Sequence, residues 1–348
     1  MPSAPCRLAP AGRLLLAACG APDSADTSRL VDHHVHLLSP ALVKDWKSLG
    51  VNFSRPDSVY TSASALLGDT ATADGGPARQ VAGAVLIPMA HLYGRQDIRG
   101  PLRLSLAAEQ AAVRRENDYV AAEAARFPDR AIALCGVDFL RPYAWSEVQR
   151  CRAELQSPGI KLHLASAGAN LGYASHLAAL RRYAELASAD SLILFVHFDP
   201  QNNRGNLADI RRFIAEVLQP FPDLTVVIAH LGGSGGFDAW TRAIFETFTT
   251  WLDEEAAAGR PRTGVHFDIS AVWLARDSEG MPRSTKQDAE ALAAELARVG
   301  VGRLLFGSDA PVFIPGPYAA AFRRQAALSA EAWDSLARNR LPGLPSPP

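Results

Sequence analysis

Four segments, far apart in the chain, each run as an apolar, strand-like stretch into a side chain that can bind a metal ion. They are Leu30-Val-Asp-His-His-Val-His36, Ser191-Leu-Ile-Leu-Phe-Val-His197, Leu224-Thr-Val-Val-Ile-Ala-His230 and Leu304-Leu-Phe-Gly-Ser-Asp309. Imidazoles with one carboxylate suit zinc or another first-row divalent ion, whereas calcium and magnesium prefer oxygen ligands. A single His after a strand carries little information. A pair two apart carries more, because strand side chains alternate between faces and His34 and His36 can then converge on one ion. By the same alternation Asp32 shares their face one layer deeper, where it could orient a ligand or the metal. His33 and Val35 then point the other way, towards the helices. Asp309, at the edge of an apolar run, needs a partner such as a cation.

Lys161 is one of only four lysines and lies inside Gly159-Ile-Lys-Leu-His-Leu164. Lys161 and His163 share the face opposite Ile160, Leu162 and Leu164, so they look inward if the aliphatic residues pack on helices. Such a lysine can bind a substrate carboxylate, carry a carbamate that bridges a second metal, or pair with an inward acid. Arg204, in Asp199-Pro-Gln-Asn-Asn-Arg-Gly205, reads either as a bidentate clamp for a substrate carboxylate or as a solvated loop arginine. His91 and His266 lie near strand ends, and His176 opens a helix as a structural or exposed residue. Leu231-Gly-Gly-Ser-Gly-Gly236 fits no dinucleotide pattern and reads as a flexible loop at the rim.

These residues need elements to gather them. From about residue 29, strand-like and helix-like segments alternate. Strands are expected near 29–36, 81–89, 131–137, 159–164, 192–197, 224–230, 265–271 and 303–307. Helices are expected near 104–127, 144–155, 176–187, 207–218, 237–258 and 287–299, with further helical stretches to about 337. A long insertion, 37–80, follows the first strand and contains the Asp74-Gly-Gly-Pro77 turn signal. Strands that are near-continuous apolar runs imply a parallel sheet covered on both faces. The expected fold is α/β, a distorted (β/α)8 TIM barrel with a long insertion after strand one, whose strand C-termini form the active-site face. An open doubly wound sheet is the rival, but His-His-Val-His stands where its Gly-rich phosphate turn belongs.

The chain has 348 residues, 48% hydrophobic and 20% charged, with a net charge of −1. One large domain over 29–340 accounts for it, and no basic field invites nucleic acid. Residues 1–28 differ. Arg7 and Arg13 precede Leu14-Leu-Leu-Ala-Ala-Cys-Gly20, which resembles a lipoprotein processing site with a lipid anchor at Cys19, although Leu14–Ala18 is shorter than the usual signal core. A cytoplasmic protein and an exported lipoprotein both remain open. No later stretch reaches the roughly 18 apolar residues of a membrane span. Cys135 and Cys151 are expected to be small apolar packing residues, since no CxxC or framework spacing is present. The tail, 341–348, is expected to be too Pro-rich to fold.

Asp32-x-His34-x-His36, followed by His197, His230 and Asp309, resembles the amidohydrolase superfamily. It is most similar to the branch that includes aminocarboxymuconate semialdehyde decarboxylase and lactone hydrolases. Gly159-Ile-Lys-Leu-His163, Ala229-His-Leu-Gly-Gly233 and Gly307-Ser-Asp-Ala-Pro311 add to the likeness, which spans about 29–327. The resemblance implies that His34, His36, His197 and Asp309 bind one catalytic divalent metal, zinc or alternatively manganese, with His230 beside it. A second metal is implied only if Lys161 is carboxylated, with His163 close by. The reaction implied first is hydrolysis of a small, carboxylate-bearing cyclic ester, lactone or amide, with Asp309 moving the proton and His230 polarising the substrate. The alternative is non-oxidative decarboxylation of an aromatic or unsaturated acid by the same residues. A non-catalytic metal-binding barrel is the remaining rival. The expected partner is a small molecule, and a homodimer is allowed.

Overall fold

The structure, a computed structural model, describes residues 30–67, 81–198, 206–278 and 281–344. Its strands are β1 (Val31–Leu37), β2 (Gly83–Pro88), β3 (Ala131–Ala133), β4 (Cys135–Val137), β5 (Gly159–His163), β6 (Ile193–His197), β7 (Thr225–Ile228), β8 (Val265–Asp268) and β9 (Leu304–Leu305). Neighbours pair in parallel, as β1-β2-β3 and as β4 through β9 in order. The third expected strand is therefore in two pieces. Leu134 between them still donates its N–H to Leu86 O at 3.0 Å, so the circuit continues across the break. The last strand returns to the first through His33 N to Phe306 O (2.8 Å), Asp309 N to His34 O (3.0 Å) and His36 N to Ala310 O (2.7 Å). These bonds place Asp309 against the His-x-His segment.

Alternation along the strands divides the apolar residues into two cores. Val85, Ile87, Leu134, Ile193, Phe195, Val227 and Leu305 fill the lumen. Their sequence neighbours Leu86, Leu194, Val196, Val226, Ile228 and Leu304 pack outward on the helices. The helices carry their own stop and start signals. Ser105 caps Leu106–Ala125, while Thr285 and Asp288 form a capping box for Lys286–Val299, which ends at Gly300 in the left-handed region. The insertion after β1 forms helices Pro40–Ser48, Asp57–Thr61 and Ala63–Leu67. It packs Leu38, Leu42 and Val43 against Tyr93, Val113 and Tyr143 beside the rim. Asp74 and the turn around it, Arg204, and the leader with Cys19 lie outside the described residues.

Three expectations change. Leu30, Val35 and Leu37 all belong to the outward core, yet Leu30 and Val35 are an odd number of residues apart. Alternation must break between them, and the β1–β2 register slips between Asp32 and Val35. Asp32 therefore does not share the face of His34, and His33 does not simply point at the helices. Cys135 and Cys151 are buried as expected but joined in a disulfide, with Cα atoms 6.0 Å apart. Packing of helix Ala144–Glu154 on β4 brings them together, which no local spacing signals. Leu341, placed in the tail by composition, is buried in the lumen core and plugs the end of the barrel away from the His-x-His segment.

Candidate metal centre

His34 is fully buried. Its Nδ1 lies 3.0 Å from Asp268 Oδ2 and 2.9 Å from Ser270 Oγ. A carboxylate only accepts, so the Nδ1 side carries the proton and Nε2 presents its lone pair to the centre. That Nε2 stands 3.2 Å from His36 Nε2 and 3.6 Å from Asp309 Oδ1, and His36 Nε2 is 3.3 Å from the same oxygen. Ligands held about 2.0–2.1 Å from a tetrahedral ion lie roughly 3.3 Å apart, so these edges have the size of a first-row metal site. His230 completes the group, and the donor atoms of His34, His230 and Asp309 all lie within 4.8 Å of one another. Gly307 permits the approach, because a Cβ there would stand 3.0 Å from the Cβ atoms of His34 and Ser270.

His230 reaches the centre by leaving the strand. It follows β7 with φ 52°, and Leu231 has φ 55°. Asp309 is also left-handed, at φ 62°. Such a conformation costs non-glycine residues on the order of 1–3 kcal/mol each and needs outside support. Asp268 supplies it for His230. Its Oδ1 accepts the N–H groups of His230 (3.1 Å) and Ser270 (2.9 Å) and the Ser270 hydroxyl (2.5 Å). His230 Nδ1 in turn donates to Ser270 O at 2.7 Å. Asp268 thus orients both His34 and His230. The sequence reading missed it, although alternation along Val265–Asp268 places it with His266 on the inward face.

Asp32 performs a related task elsewhere. Its carboxylate accepts from Ser308 N (2.9 Å), Ser308 Oγ (2.5 Å) and His34 N (3.2 Å), which pins the segment that carries Asp309. Burial pushes its pKa up to about 7 even though these bonds pull the other way. It holds the ligand-bearing backbone rather than a metal ligand's side chain.

The other inward residues extend the cluster. His197 Nδ1 lies 3.1 Å from His230 Nε2, and its ring stacks on His163 at 3.8 Å. His163 Nδ1 accepts from Ser166 N, and its ring is 5.0 Å from that of His91, whose two nitrogens have no partner among the described residues. Burial, reinforced by neighbouring cationic groups, holds His34, His163, His197 and His91 well below the ordinary imidazole value. They are neutral and free to act as ligands. Burial would raise Asp309, but the His36 hydrogen bond and the surrounding imidazoles prevail and hold it below the usual carboxylate range. Neutral imidazoles around an anionic carboxylate are the donor set a divalent cation requires.

Lys161 is fully buried, with Nζ 3.3 Å from His34 Nε2 and 4.2 Å above the Phe195 ring. Among the described residues no carboxylate pairs with it. Burial pushes it down to about 8, against the pull of Asp268 and Asp309. His266 and His33 lie deeper, and burial pushes each down to about 4. His176 is structural and accepts from Asn170 N at 2.9 Å. A cavity of about 730 Å³ opens above the centre and is lined by His36, His163, His197, His230 and Asp309, with Arg95, Ser166 and Ser234 among its other lining residues.

An amidohydrolase family model matches residues 31–338. No curated protein sequence matches the chain. Among solved structures the chain is similar to 5-carboxyvanillate decarboxylase LigW from Sphingomonas paucimobilis, at 15% identity over 89% of this chain and 96% of that one, with a TM-score of 0.53. It is also similar to 2,6-dihydroxybenzoate decarboxylase from Rhizobium, at 14% identity over 88% and 94%, TM-score 0.51. A third is 5-carboxyvanillate decarboxylase LIGW2 from Novosphingobium aromaticivorans, with bound manganese and 3-methoxy-4-hydroxy-5-nitrobenzoic acid, at 14% identity over 89% and 94%, TM-score 0.52. At these identities the likeness speaks for the fold. The family match takes in every strand end described above, and the chain belongs to the amidohydrolase family of metal-dependent barrel enzymes.

Proposed function

We propose that the chain is a metal-dependent carboxy-lyase that releases carbon dioxide, without oxidation, from a small aromatic or unsaturated acid. The observation that carries the reading is the meeting of His34, His230 and Asp309 within 4.8 Å, with His230 and Asp309 lining a cavity large enough for such an acid. With His36 and His197 next to them, His34, His36, His197 and Asp309 form the candidate ligand set, and His230 stands beside it. A divalent ion held there, manganese or zinc, would fix the acid and polarise its oxygens. The three similar solved structures are decarboxylases of aromatic acids, which favours this chemistry over the hydrolysis preferred on sequence grounds. Hydrolysis would use the same residues, and no distance in the site singles it out.

The chain's own groups have definite tasks. His230 is anchored through Nδ1, so Nε2 is the nitrogen that can hold or move a proton. Asp309, anionic at rest, can take a proton from a substrate hydroxyl and return it to carbon. The carbon that bears the carboxylate gains that proton. Its bond to the carboxylate carbon then breaks, the electron pair stays with the ring or alkene, and carbon dioxide leaves. Metal-loaded protein assayed for carbon dioxide release from hydroxybenzoates, and in parallel for ring opening of lactones, tests the proposal. Release that is lost on chelation and in Asp309→Asn supports it. Lactone opening with no carbon dioxide release overturns it in favour of hydrolysis.

A further inference from the structure

Asp309 sits on a short segment that is pinned group by group. Ser308 N donates to Asp32 Oδ1 at 2.9 Å, Asp309 N to His34 O at 3.0 Å, Ala310 N to Ser308 Oγ at 3.1 Å and Val312 N to Asp309 O at 3.0 Å. Ala310 O accepts from His36 N at 2.7 Å. All of these partners lie on β1 or within the segment itself. Pro311 O is different. It accepts from Arg55 Nη1 at 3.0 Å, and Arg55 is 256 residues away in sequence.

Arg55 belongs to the insertion after β1, between helices Pro40–Ser48 and Asp57–Thr61. The other ties of that insertion point away from the centre. Tyr60 O accepts from Leu38 N at 2.9 Å, Ala63 N donates to Glu123 Oε2 at 3.0 Å, and Leu67 O accepts from Arg130 Nη2 at 3.1 Å. They hold residues 60–67 to the barrel wall. Arg55 alone among these ties reaches the segment that carries a candidate metal ligand. It is half-buried, and a charged donor makes this the strong kind of hydrogen bond. Asp309 keeps its carboxylate beside His34 and His36 from a left-handed backbone, so a restraint two residues further on has a strained turn to hold.

We propose that Arg55 is a positioning residue. By holding Pro311 O it fixes the turn 309–312 that aims the Asp309 carboxylate at the metal, and it thereby couples metal binding to docking of the insertion at the rim. This rests on the reading of His34, His36, His197 and Asp309 as a metal centre. The coupling works in both directions: whatever the held turn adds to metal affinity, the bound metal adds to docking of the insertion.

The test is calorimetric titration of metal-free protein with manganese and with zinc, with hydrogen exchange of residues 51–61 followed by mass spectrometry before and after loading. Arg55→Met should weaken metal binding about 10-fold, the lower end of what one hydrogen bond to a charged group is worth. Arg55→Lys keeps a charged donor and should recover part of the loss. In the unmodified protein, loading should slow exchange of residues 51–61 severalfold, and in Arg55→Met it should leave that exchange unchanged. Unchanged metal affinity in Arg55→Met, or exchange that ignores the metal in the unmodified protein, overturns the inference while the metal centre stands. A loss that Arg55→Lys does not recover, together with a lower Tm of metal-free Arg55→Met, makes Arg55 a residue of the fold and overturns it as well. If the unmodified protein binds neither metal, the metal-centre reading falls and the inference falls with it.

Discussion

The two ends of the barrel lumen are built from the same strands and behave in opposite ways. At the base, Val85, Ile87, Leu134, Ile193, Phe195, Val227 and Leu305 face one another, and Leu341 closes the end. At the rim the inward positions change to His34, His36, His163, His197, His230 and Asp309, and the backbone is left-handed at His230, Leu231 and Asp309. The change takes place within single strands: β6 runs Ile193, Phe195, His197 along its inward face. Apolar packing at the base stabilises the cylinder, and the strained, polar rim is held on top of it. The comparison teaches that stability and metal binding should respond to different substitutions.

The largest separation is expected at Asp309. Asp309→Asn removes both an anionic ligand and the proton carrier, so turnover should fall about 10²–10⁴-fold with little change in Tm. Metal content measured by mass spectrometry on the same sample shows how much of the loss is metal. Undiminished turnover would remove Asp309 from the chemistry. Leu305→Ala is the mirror case at the base. It should cost about 2–5 kcal/mol in chemical denaturation, while metal bound per folded chain stays the same. A metal deficit there would mean that the two ends are not separate. Asp268→Asn should give a smaller and intermediate result, about 10–100-fold in metal affinity, because it no longer fixes the His34 tautomer or supports His230. If affinity is unmoved, the rim does not depend on Asp268 for its order.

What the sequence made legible follows the same division. Runs such as Ile193–His197 and Thr225–Ile228 state their strand character and their inward residue by simple alternation. His34, His36, His197, His230 and Asp309 could therefore be gathered from sequence alone. What alternation could not supply were its exceptions. The slip between Asp32 and Val35 moves Asp32 off the His34 face. The left-handed turn at His230 swings that ring towards His34, with ring centroids 4.8 Å apart, although Ala229 before it is already in the lumen core. Asp268 was hidden for another reason: a carboxylate that ends a short strand looks the same whether it binds a cation, two histidines or nothing. Cys135 and Cys151 meet only through strand–helix packing, and Arg95 gains its place only from the turn that carries it back over the cavity.

His266 offers the smallest effect and tests how far the dry base extends upward. Its Nδ1 is buried with no partner among the described residues, and burial, with Arg303 adding to it, pushes its pKa from an ordinary 6.5 down to about 4. Between those two values the unfolded chain takes up a proton that the folded ring refuses. Unfolding then binds protons, so stability falls as pH drops from 6.5 towards 4 and is unaffected by this residue near pH 7. The ceiling of the effect is about 3 kcal/mol at pH 4, from 1.36 kcal/mol per pKa unit. His266→Gln, neutral at every pH and similar in size, should therefore flatten the acid limb of the stability curve and leave its neutral value within roughly 1 kcal/mol. Urea denaturation of both proteins across this range reads the difference directly. If the two acid limbs run parallel, His266 takes its proton in the folded state, and the lumen is wet below the metal centre rather than sealed.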